Sequence, residues 1–177
     1  SKNKFAYEIV KSGIFNNVKN FNHLLERIKK NKGFNHRGIE TSKGDIFEIF
    51  CEAYLNINKE FQVKDVYPQG YVPIKILKKL KLNRLDKGYD GVYETLEGNF
   101  NTYQAKYRFK NERLTWQGRN GLSSFIGVSE KAYRRHLIAT TNKVSSEFEN
   151  KSRVRMTLHN DLNRISLEDL LKISDFL

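Results

Sequence analysis

The sequence Gly88-Tyr-Asp-Gly-Val-Tyr93 is followed a few residues later by Tyr103-Gln-Ala-Lys-Tyr107. The residues from 88 to 95 and from 100 to 107 are rich in Tyr, Val, Thr and Phe, which favour strands. Between them, Glu97-Gly98-Asn99 is typical of a tight turn. These features predict a β-hairpin in which Gly98 occupies the left-handed position of a three-residue loop.

The hairpin predicts a cluster of polar side chains. Such a loop places Asp90 opposite Lys106, and Val92 opposite Gln104. Side chains of paired residues, and of residues two apart on a strand, lie on one face of a sheet. We therefore expect Asp90, Gln104 and Lys106 to lie together, and a register shift of one residue would separate them.

An acid, an amide and a lysine on adjoining strands can hold a hard divalent cation, Mg²⁺ or Mn²⁺, beside a phosphodiester. We predict that Asp90 is one metal ligand and that the backbone carbonyl of Ala105 is another. Gln104 either binds the ion through its amide oxygen or only orients a water. Lys106 is expected near the attacking water or the scissile phosphate, where it can stabilise developing charge.

Length and charge narrow the class of protein. The chain has 177 residues, enough for one domain with a hydrophobic core, and a net charge of +12, which favours a polyanionic partner such as nucleic acid. Its single cysteine, Cys51, excludes a disulfide framework and indicates a reducing, intracellular setting. We see no apolar run that could span a bilayer and no signal peptide, so a membrane partner is not expected.

From residue 39 onward the hydrophobic patterns predict the order α-β-α-β-β-α-β-α-β-α, an α/β sheet with helices on both faces. Besides the hairpin, we expect helices at 43–58, 74–80, 114–128, 144–150 and 166–176, and strands at 61–67, 136–141 and 154–158. The expected helix caps are Thr41 or Ser42, Asn142 and Ser166. Two further helices, at 2–12 and 17–31, predict a helical N-terminal extension over residues 1–38, which ends in a linker at 35–38 and precedes a domain at 39–177.

Three motifs resemble those of a known superfamily. Gly44-Asp-Ile-Phe-Glu48, Gly88-Tyr-Asp-Gly91 and Gln104-Ala-Lys106 resemble the motifs G-x-x-F-E, G-x-D-G and Q-x-K of the Mrr-like branch of the PD-(D/E)xK restriction endonucleases. The segment from His136 to Ser145 is similar to that family's strand ending in T-T before a short helix. The resemblance covers residues 39–177 and implies a restriction-endonuclease-like core with a central mixed β-sheet.

The resemblance also implies roles for individual residues. Glu48 would be the helix-borne acid of the site and a further metal ligand, favoured over Glu52 because it directly follows Phe47. Asp90 would be the metal ligand, Gln104 the substituted second acid and Lys106 the catalytic lysine. Because Gln104 is neutral, metal binding is expected to be weak until DNA supplies a phosphate oxygen.

Basic residues follow two of the predicted elements and could line a groove for the phosphate backbone. They are Arg108, Lys110 and Arg113 after the Q-x-K strand, and Lys131, Arg134 and Arg135 after the next helix. The four histidines, His23, His36, His136 and His159, do not have the spacing of a metal site. The sequence has no P-loop motif, so we expect no ATPase of its own.

Together these features predict a metal-dependent DNA endonuclease domain of a larger restriction or helicase–nuclease protein, from the cytoplasm of a bacterium or from a phage or virus. An attached or associated helicase and a homodimer on DNA are the expected partners. Gln104 keeps open the alternative of an inactive nuclease fold that only binds DNA. A structure-selective nuclease acting on junctions or flaps, and RNA as the substrate, also stay open.

Overall fold

The computed structural model describes residues 1–34, 38–109 and 111–177, which form one five-stranded sheet surrounded by eight α-helices. The strands are β1 (Val63–Pro68), β2 (Gly91–Thr95), β3 (Phe100–Lys106), β4 (Arg135–Ala139) and β5 (Val154–Thr157). The helices are α1 (Ala6–Lys11), α2 (Phe21–Lys29), α3 (Ile39–Ile57), α4 (Ile74–Leu80), α5 (Ser123–Val128), α6 (Ser146–Glu149), α7 (His159–Leu162) and α8 (Leu167–Phe176).

The sheet has the strand order β1-β2-β3-β4-β5 and is mixed. β1, β2 and β3 pair antiparallel, whereas β3, β4 and β5 pair parallel. Helices α1, α2, α3 and α8 pack in a core on one face, and α4, α5 and α6 pack in a second core on the other. The predicted α/β fold, a central mixed sheet with helices on both faces, is confirmed.

The front helices share the core of the sheet. Ile9 of α1 and Phe21 and Leu24 of α2 are buried in the same hydrophobic cluster as Ile46 and Phe50 of α3. The rings of Phe21 and Phe50 lie 5.3 Å apart, centroid to centroid. The boundary at residue 38 stays a prediction, but residues on both sides of it bury their apolar side chains against one another.

The hairpin forms with a register that differs from the prediction. Val92 pairs with Thr102, and Gly91 with Tyr103, so each residue of β2 pairs two residues earlier on β3 than expected. The loop begins at Leu96 because the Thr95 N–H donates to the Asn99 carbonyl (2.9 Å), while Gly98 takes the predicted left-handed conformation at φ 88°. A shift of two residues preserves the alternation of faces, so the side chains stay on the predicted sides.

The helix predicted at 114–128 is wrong in its first half. Gly118 has φ 103°, and Leu114 instead forms an isolated bridge with Val144. A β-carbon at Gly121 would overlap the Trp116 carbonyl, so the chain turns tightly there before α5 begins at Ser123. The apolar spacing that suggested one long helix comes from a loop and a short helix that pack against the same core.

Two predicted caps are wrong because other contacts use their side chains. Helix α3 begins at Ile39, and the Ser42 hydroxyl accepts from the Phe34 N–H (3.0 Å) instead of capping the helix. Asn142 donates to Asn160 (3.0 Å), and Ser145 caps α6. Ser166 caps α8 as predicted, helix α7 was not predicted, and residues 35–37 of the expected linker lie outside the described residues.

Within the ranges that the structure describes, none of the helices combines the length and the apolar composition that crossing a bilayer requires.

Candidate active site

Two glycines allow the Gly88–Gly91 segment to lie close to its neighbours. A β-carbon at Gly88 would lie 2.9 Å from the carbonyl oxygen of Ser124 and from the side chain of Val128, both on α5. A β-carbon at Gly91 would overlap the ring of the buried Tyr103. The G-x-D-G pattern therefore has a steric reason, because it brings Asp90 between α5 and the middle of the sheet.

Hydrogen bonds from its backbone and its side chain fix Asp90 in position. Its N–H donates to the Tyr103 carbonyl (2.9 Å), and its own carbonyl accepts from the Gln69 N–H (2.8 Å). Its carboxylate Oδ2 accepts from the Ala105 N–H (2.7 Å). The carboxylate is thus held at the start of β2 by two backbone bonds and one side-chain bond.

The carbonyl of Ala105 faces the β2 side of β3, the side on which its N–H meets the Asp90 carboxylate. Thr102 and Lys106 bond to β4, because the Thr102 N–H donates to Arg134 and the Lys106 carbonyl accepts from Thr140. The N–H and C=O of one strand residue point to the same side, and the side alternates along the strand. Ala105 therefore directs both groups toward the β2 side, where its N–H reaches the Asp90 carboxylate.

Glu48 on α3 contacts the Asp90 carboxyl group directly. Loss of hydration, then the nearby Asp90 and Asp45 carboxylates and a hydrogen bond with Asp90, raise the pKa of Glu48 well above its usual value. Loss of hydration also raises the pKa of Asp90 to about 6, although the Ala105 N–H, Lys106 and the bond with Glu48 oppose the rise. Without a cation between them, burial disfavours the ionised form of both carboxyl groups.

Glu52, one turn farther along α3, is used elsewhere. Its carboxylate accepts from the Ser1 hydroxyl (2.6 Å) and from the Lys2 N–H (2.9 Å). This side chain fastens the N-terminal segment to α3 and does not line the clefts beside Asp90.

Lys106 lies within the electrostatic reach of both carboxyl groups. Partial burial and the neighbouring Arg108 lower the pKa of its ammonium group, and Asp90 and Glu48 act in the opposite direction. The lysine is thus a cation whose charge is less stabilised than that of a lysine in water.

Gln104 is buried and has one free acceptor. Its Nε2 donates to the Gly88 carbonyl (3.3 Å), whereas its Oε1 has no hydrogen-bond partner among the residues that the structure describes. A buried amide oxygen without a partner costs about 1–3 kcal/mol, which a ligand, a water or a cation would recover. Glu48, Asp90, Gln104 and Lys106 all line one cleft of about 610 Å³, together with Ala105.

A divalent cation fits this donor set, although the set is not rich in acids. In the described part of the chain, no group of three or more His, Cys, Asp or Glu side chains could hold a metal. Two carboxylates with raised pKa values, the free Gln104 oxygen and the Ala105 carbonyl nevertheless supply hard oxygen donors. Mg²⁺ and Mn²⁺ accept such mixed oxygen ligands and keep water at the remaining positions.

The predicted DNA-binding residues divide into two groups. Arg108 and Arg113 line the cleft, where Arg108 forms an ion pair with Glu112 (3.7 Å). Lys110 lies outside the described residues.

The second group lies near the opposite end of the sheet. Arg135 pairs with Thr102 and Ala139 with Lys106, so about 13 Å of strand separates the two ends. The Arg135 side chain is buried and donates to the Ser152 carbonyl (2.6 Å). Lys131, Arg134 and Arg135 do not line the cleft, and DNA binding by them stays a prediction for a separate surface.

Some cleft residues were not anticipated from the sequence. Lys87, next to the G-x-D-G motif, adds a cation to the main cleft, and its position between Asp86 and Gly88 was a usable signal. Lys4 and Arg84 line a second cleft that also contains Glu48 and Asp90. No pattern in the sequence connects them with the site.

The fold is similar to part of a solved structure, that of the ATP-dependent Type ISP restriction-modification enzyme LlaBIII bound to DNA. The TM-score is 0.52 and the sequence identity 19%, over 71% of this chain and 8% of that one. The similarity thus concerns the fold, and this chain spans a small part of the length of the other. No protein-family model matches the chain, and no curated protein sequence is significantly similar to it.

Proposed function

We propose that this chain is a metal-dependent DNA endonuclease domain of the PD-(D/E)xK superfamily, of the Mrr-like type. The observation that carries the proposal is the contact between Glu48 and Asp90 beside the free Gln104 oxygen, at the base of an open cleft. Carboxyl groups with raised pKa values in a cleft are typical of functional sites. The similarity of the fold to a DNA-bound restriction-modification enzyme supports the same conclusion.

In this proposal Asp90, Glu48, the Gln104 Oε1 and the Ala105 carbonyl would hold Mg²⁺ or Mn²⁺. A bound cation would neutralise phosphate charge and make a bound water more acidic. Lys106 remains a cation beside the scissile phosphate and stabilises the negative charge that develops there. Lys87, Arg108 and Arg113 attract the DNA backbone into the cleft, and the Ala105 N–H holds the Asp90 carboxylate in its orientation.

The fraction of the larger enzyme that is matched supports a place for this chain in a longer polypeptide. The match covers 8% of an ATP-dependent enzyme, and this sequence contains no P-loop. We propose that an attached or associated ATP-driven helicase delivers DNA to the cleft. Two copies acting on opposite strands would account for a double-strand break, so we also propose a homodimer on DNA.

The test is cleavage of supercoiled plasmid in Mg²⁺ or Mn²⁺, with EDTA as the control. Wild type should nick or linearise the plasmid, whereas Asp90→Ala and Lys106→Ala should lose at least about 100-fold in rate. Asp175→Ala and Lys75→Ala, at exposed positions of α8 and α4, are the matched controls and should cleave normally. Wild-type rates in the Asp90 or Lys106 variant would refute the assignment of these roles.

One residue favours a second candidate, a DNA-binding module without chemistry. Gln104 leaves the site with two carboxylates in contact, and an amide is a weaker ligand than an acid. A wild-type chain that shifts plasmid in a gel with every divalent cation, and cuts it with none, would favour that candidate.

A further inference from the structure

Glu48 and Asp90 lie between two clefts. One is the cleft of about 610 Å³ that contains Lys106, and the other, of about 430 Å³, is lined by Lys4, Tyr71 and Arg84 together with the same two carboxyl groups. The proposed reaction uses only the first. The second cleft borders the same Glu48–Asp90 pair. A ligand could therefore occupy both clefts and pass over the two carboxyl groups.

The second cleft has the chemistry of a nucleic-acid site. Apart from the shared carboxyl pair, the charged side chains that line it among the described residues are Lys4 and Arg84, both basic. Tyr71, at its edge, is 43% exposed. The main cleft likewise combines cations with Phe109, which is 53% exposed. Each side of the pair therefore offers positive charge for phosphate and one exposed aromatic ring on which a base can stack.

The walls of the second cleft are fixed by hydrogen bonds. Arg84 donates through Nη1 to the Gly70 carbonyl (2.8 Å), and Gln69 donates through Nε2 to the Arg84 carbonyl (3.2 Å). Lys2, two residues before Lys4, donates through Nζ to the Val66 carbonyl (2.9 Å). These bonds hold the loop that carries Tyr71, and the segment that carries Lys4, in place before any ligand binds.

The second cleft has room for part of one nucleic-acid strand. Volumes of a few hundred Å³ enclose a molecule of drug size, which corresponds to one or two nucleotides. Stacking on an exposed ring requires a base that is free of its partner strand.

We propose that the second cleft is a binding subsite for an unpaired nucleic-acid strand, which crosses the Glu48–Asp90 pair from the Phe109 side to the Tyr71 side. Tyr71 stacks on a base, and Lys4 and Arg84 contact the phosphates beyond the scissile position. The inference rests on the proposed function and names its substrate class, a single strand or the splayed arm of a branched duplex.

The test measures binding of a short fluorescent oligonucleotide, single-stranded or duplex, to the full chain in EDTA, where metal-dependent cleavage is absent. Tyr71→Ala should weaken single-strand binding by about 5- to 150-fold, the worth of one stacked base. Lys4→Gln should reduce the slope of log K against log salt by about 0.7, the worth of one phosphate contact on a single strand. Phe176→Ala and Lys75→Gln change an exposed aromatic residue and an exposed lysine outside both clefts, and should bind like wild type.

Two outcomes overturn the inference: single-strand binding that is unchanged in both Tyr71→Ala and Lys4→Gln, or wild type that binds duplex as tightly as the single strand. Cleavage of plasmid and of the single-stranded oligonucleotide, assayed in parallel with Mg²⁺ or Mn²⁺, separates this inference from the proposed function. Cleavage with unaltered strand binding in the two variants refutes the subsite alone. The predicted binding losses without cleavage in any divalent cation refute the nuclease and leave the subsite standing.

Discussion

At the scale of single residues, Asp90 is held in a position that costs stability. Burial raises the pKa of Asp90 to about 6, and burial together with the neighbouring Asp90 carboxylate raises the pKa of Glu48 well above its usual value. Functional groups often occupy such unfavourable positions, because the same proximity that raises the cost creates a site for a cation.

We expect Asp90→Asn to be more stable than wild type in EDTA. Because the folded-state pKa of Asp90, about 6, lies above the ordinary value of 3.8, ionisation removes stability as the pH rises through 6. The gain in the free energy of unfolding should therefore be small near pH 4 and reach about 3 kcal/mol near pH 7, as measured by urea denaturation.

In Mg²⁺ the stability advantage of Asp90→Asn should shrink, because the cation stabilises only wild type. Plasmid cleavage by the variant should fall by at least about 100-fold. A stability difference that does not change with pH would show that the Asp90 carboxylate is not destabilised in the folded protein.

Gln104→Glu tests the free amide oxygen. The new carboxylate at position 104, added to those of Glu48 and Asp90, should bind a divalent cation more tightly than the amide does. An ionised carboxylate cannot, however, donate to the Gly88 carbonyl as the Gln104 amide does. The variant should lose about 1–3 kcal/mol of stability in EDTA and show a larger rise of the melting temperature with Mn²⁺ than wild type. Gln62→Glu, at an exposed position before β1, is the control. An equal rise with Mn²⁺ in Gln104→Glu and in wild type would remove Gln104 from the ligand set.

At the scale of elements, the hairpin and α5 position Asp90 through close packing. Gly91→Ala should push the Tyr103 ring out of the core and move the residue beside it, Asp90. We expect a loss of about 1–3 kcal/mol and reduced cleavage. Gly127→Ala, on α5 with open space around its β-carbon, should instead be neutral or slightly stabilising.

A double-mutant cycle with Tyr103→Leu identifies the cause. If the β-carbon at position 91 strikes the ring, removal of the ring should recover part of the loss, with a coupling energy of about 0.5–3 kcal/mol from thermal or urea unfolding. Additive effects would place the strain somewhere other than the contact of Gly91 with Tyr103.

Three strands are joined by a buried histidine. His136 of β4 bonds to the Tyr93 hydroxyl of β2 through Nδ1 (2.9 Å) and to the Thr157 hydroxyl of β5 through Nε2 (2.7 Å). Burial, with a smaller effect of Arg155, lowers the pKa of His136 to about 3. The His136 side chain is therefore neutral in the folded protein at neutral pH.

This histidine should make the fold sensitive to acid. The unfolded chain protonates near pH 6.5 but the folded chain only near 3, so stability is present above 6.5 and is lost as the pH falls toward 3. His136 should account for a loss of about 2 kcal/mol between pH 7 and pH 5. His136→Gln should be less stable at pH 7 and lack this part of the slope in urea titrations. An unchanged slope in His136→Gln would contradict the assignment.

At the scale of the whole molecule, the front helices and the sheet share one core. Ile9, Phe21 and Leu24 pack in the same core as the apolar residues of α3. A chain that begins at residue 39 would therefore expose to water the apolar surface of α3 that these three side chains cover. We expect this truncated chain to be insoluble or to melt far below the full chain in differential scanning calorimetry. A soluble, cooperatively folding and cleaving fragment would instead show that the predicted boundary at residue 38 separates two independent domains.

The sequence by itself determined the order of elements from residue 39 except helix α7, the α/β class, the hairpin with its left-handed Gly98 and the spacing of Asp90, Gln104 and Lys106. These features depend on local preferences and on the alternation of faces along a strand, both of which can be read from neighbouring residues. The alternation also explains why a register wrong by two residues left the predicted cluster intact.

Only the tertiary structure decided the contact of Glu48 with Asp90, the free oxygen of Gln104 and the second cleft formed by Lys4, Tyr71 and Arg84. It also decided that Lys131, Arg134 and Arg135 lie at the other end of the sheet from the carboxyl pair. These facts depend on how a helix, a loop and the N-terminal segment pack from distant parts of the chain. Packing of this kind leaves no periodic pattern in the sequence, so it cannot be read from local preferences.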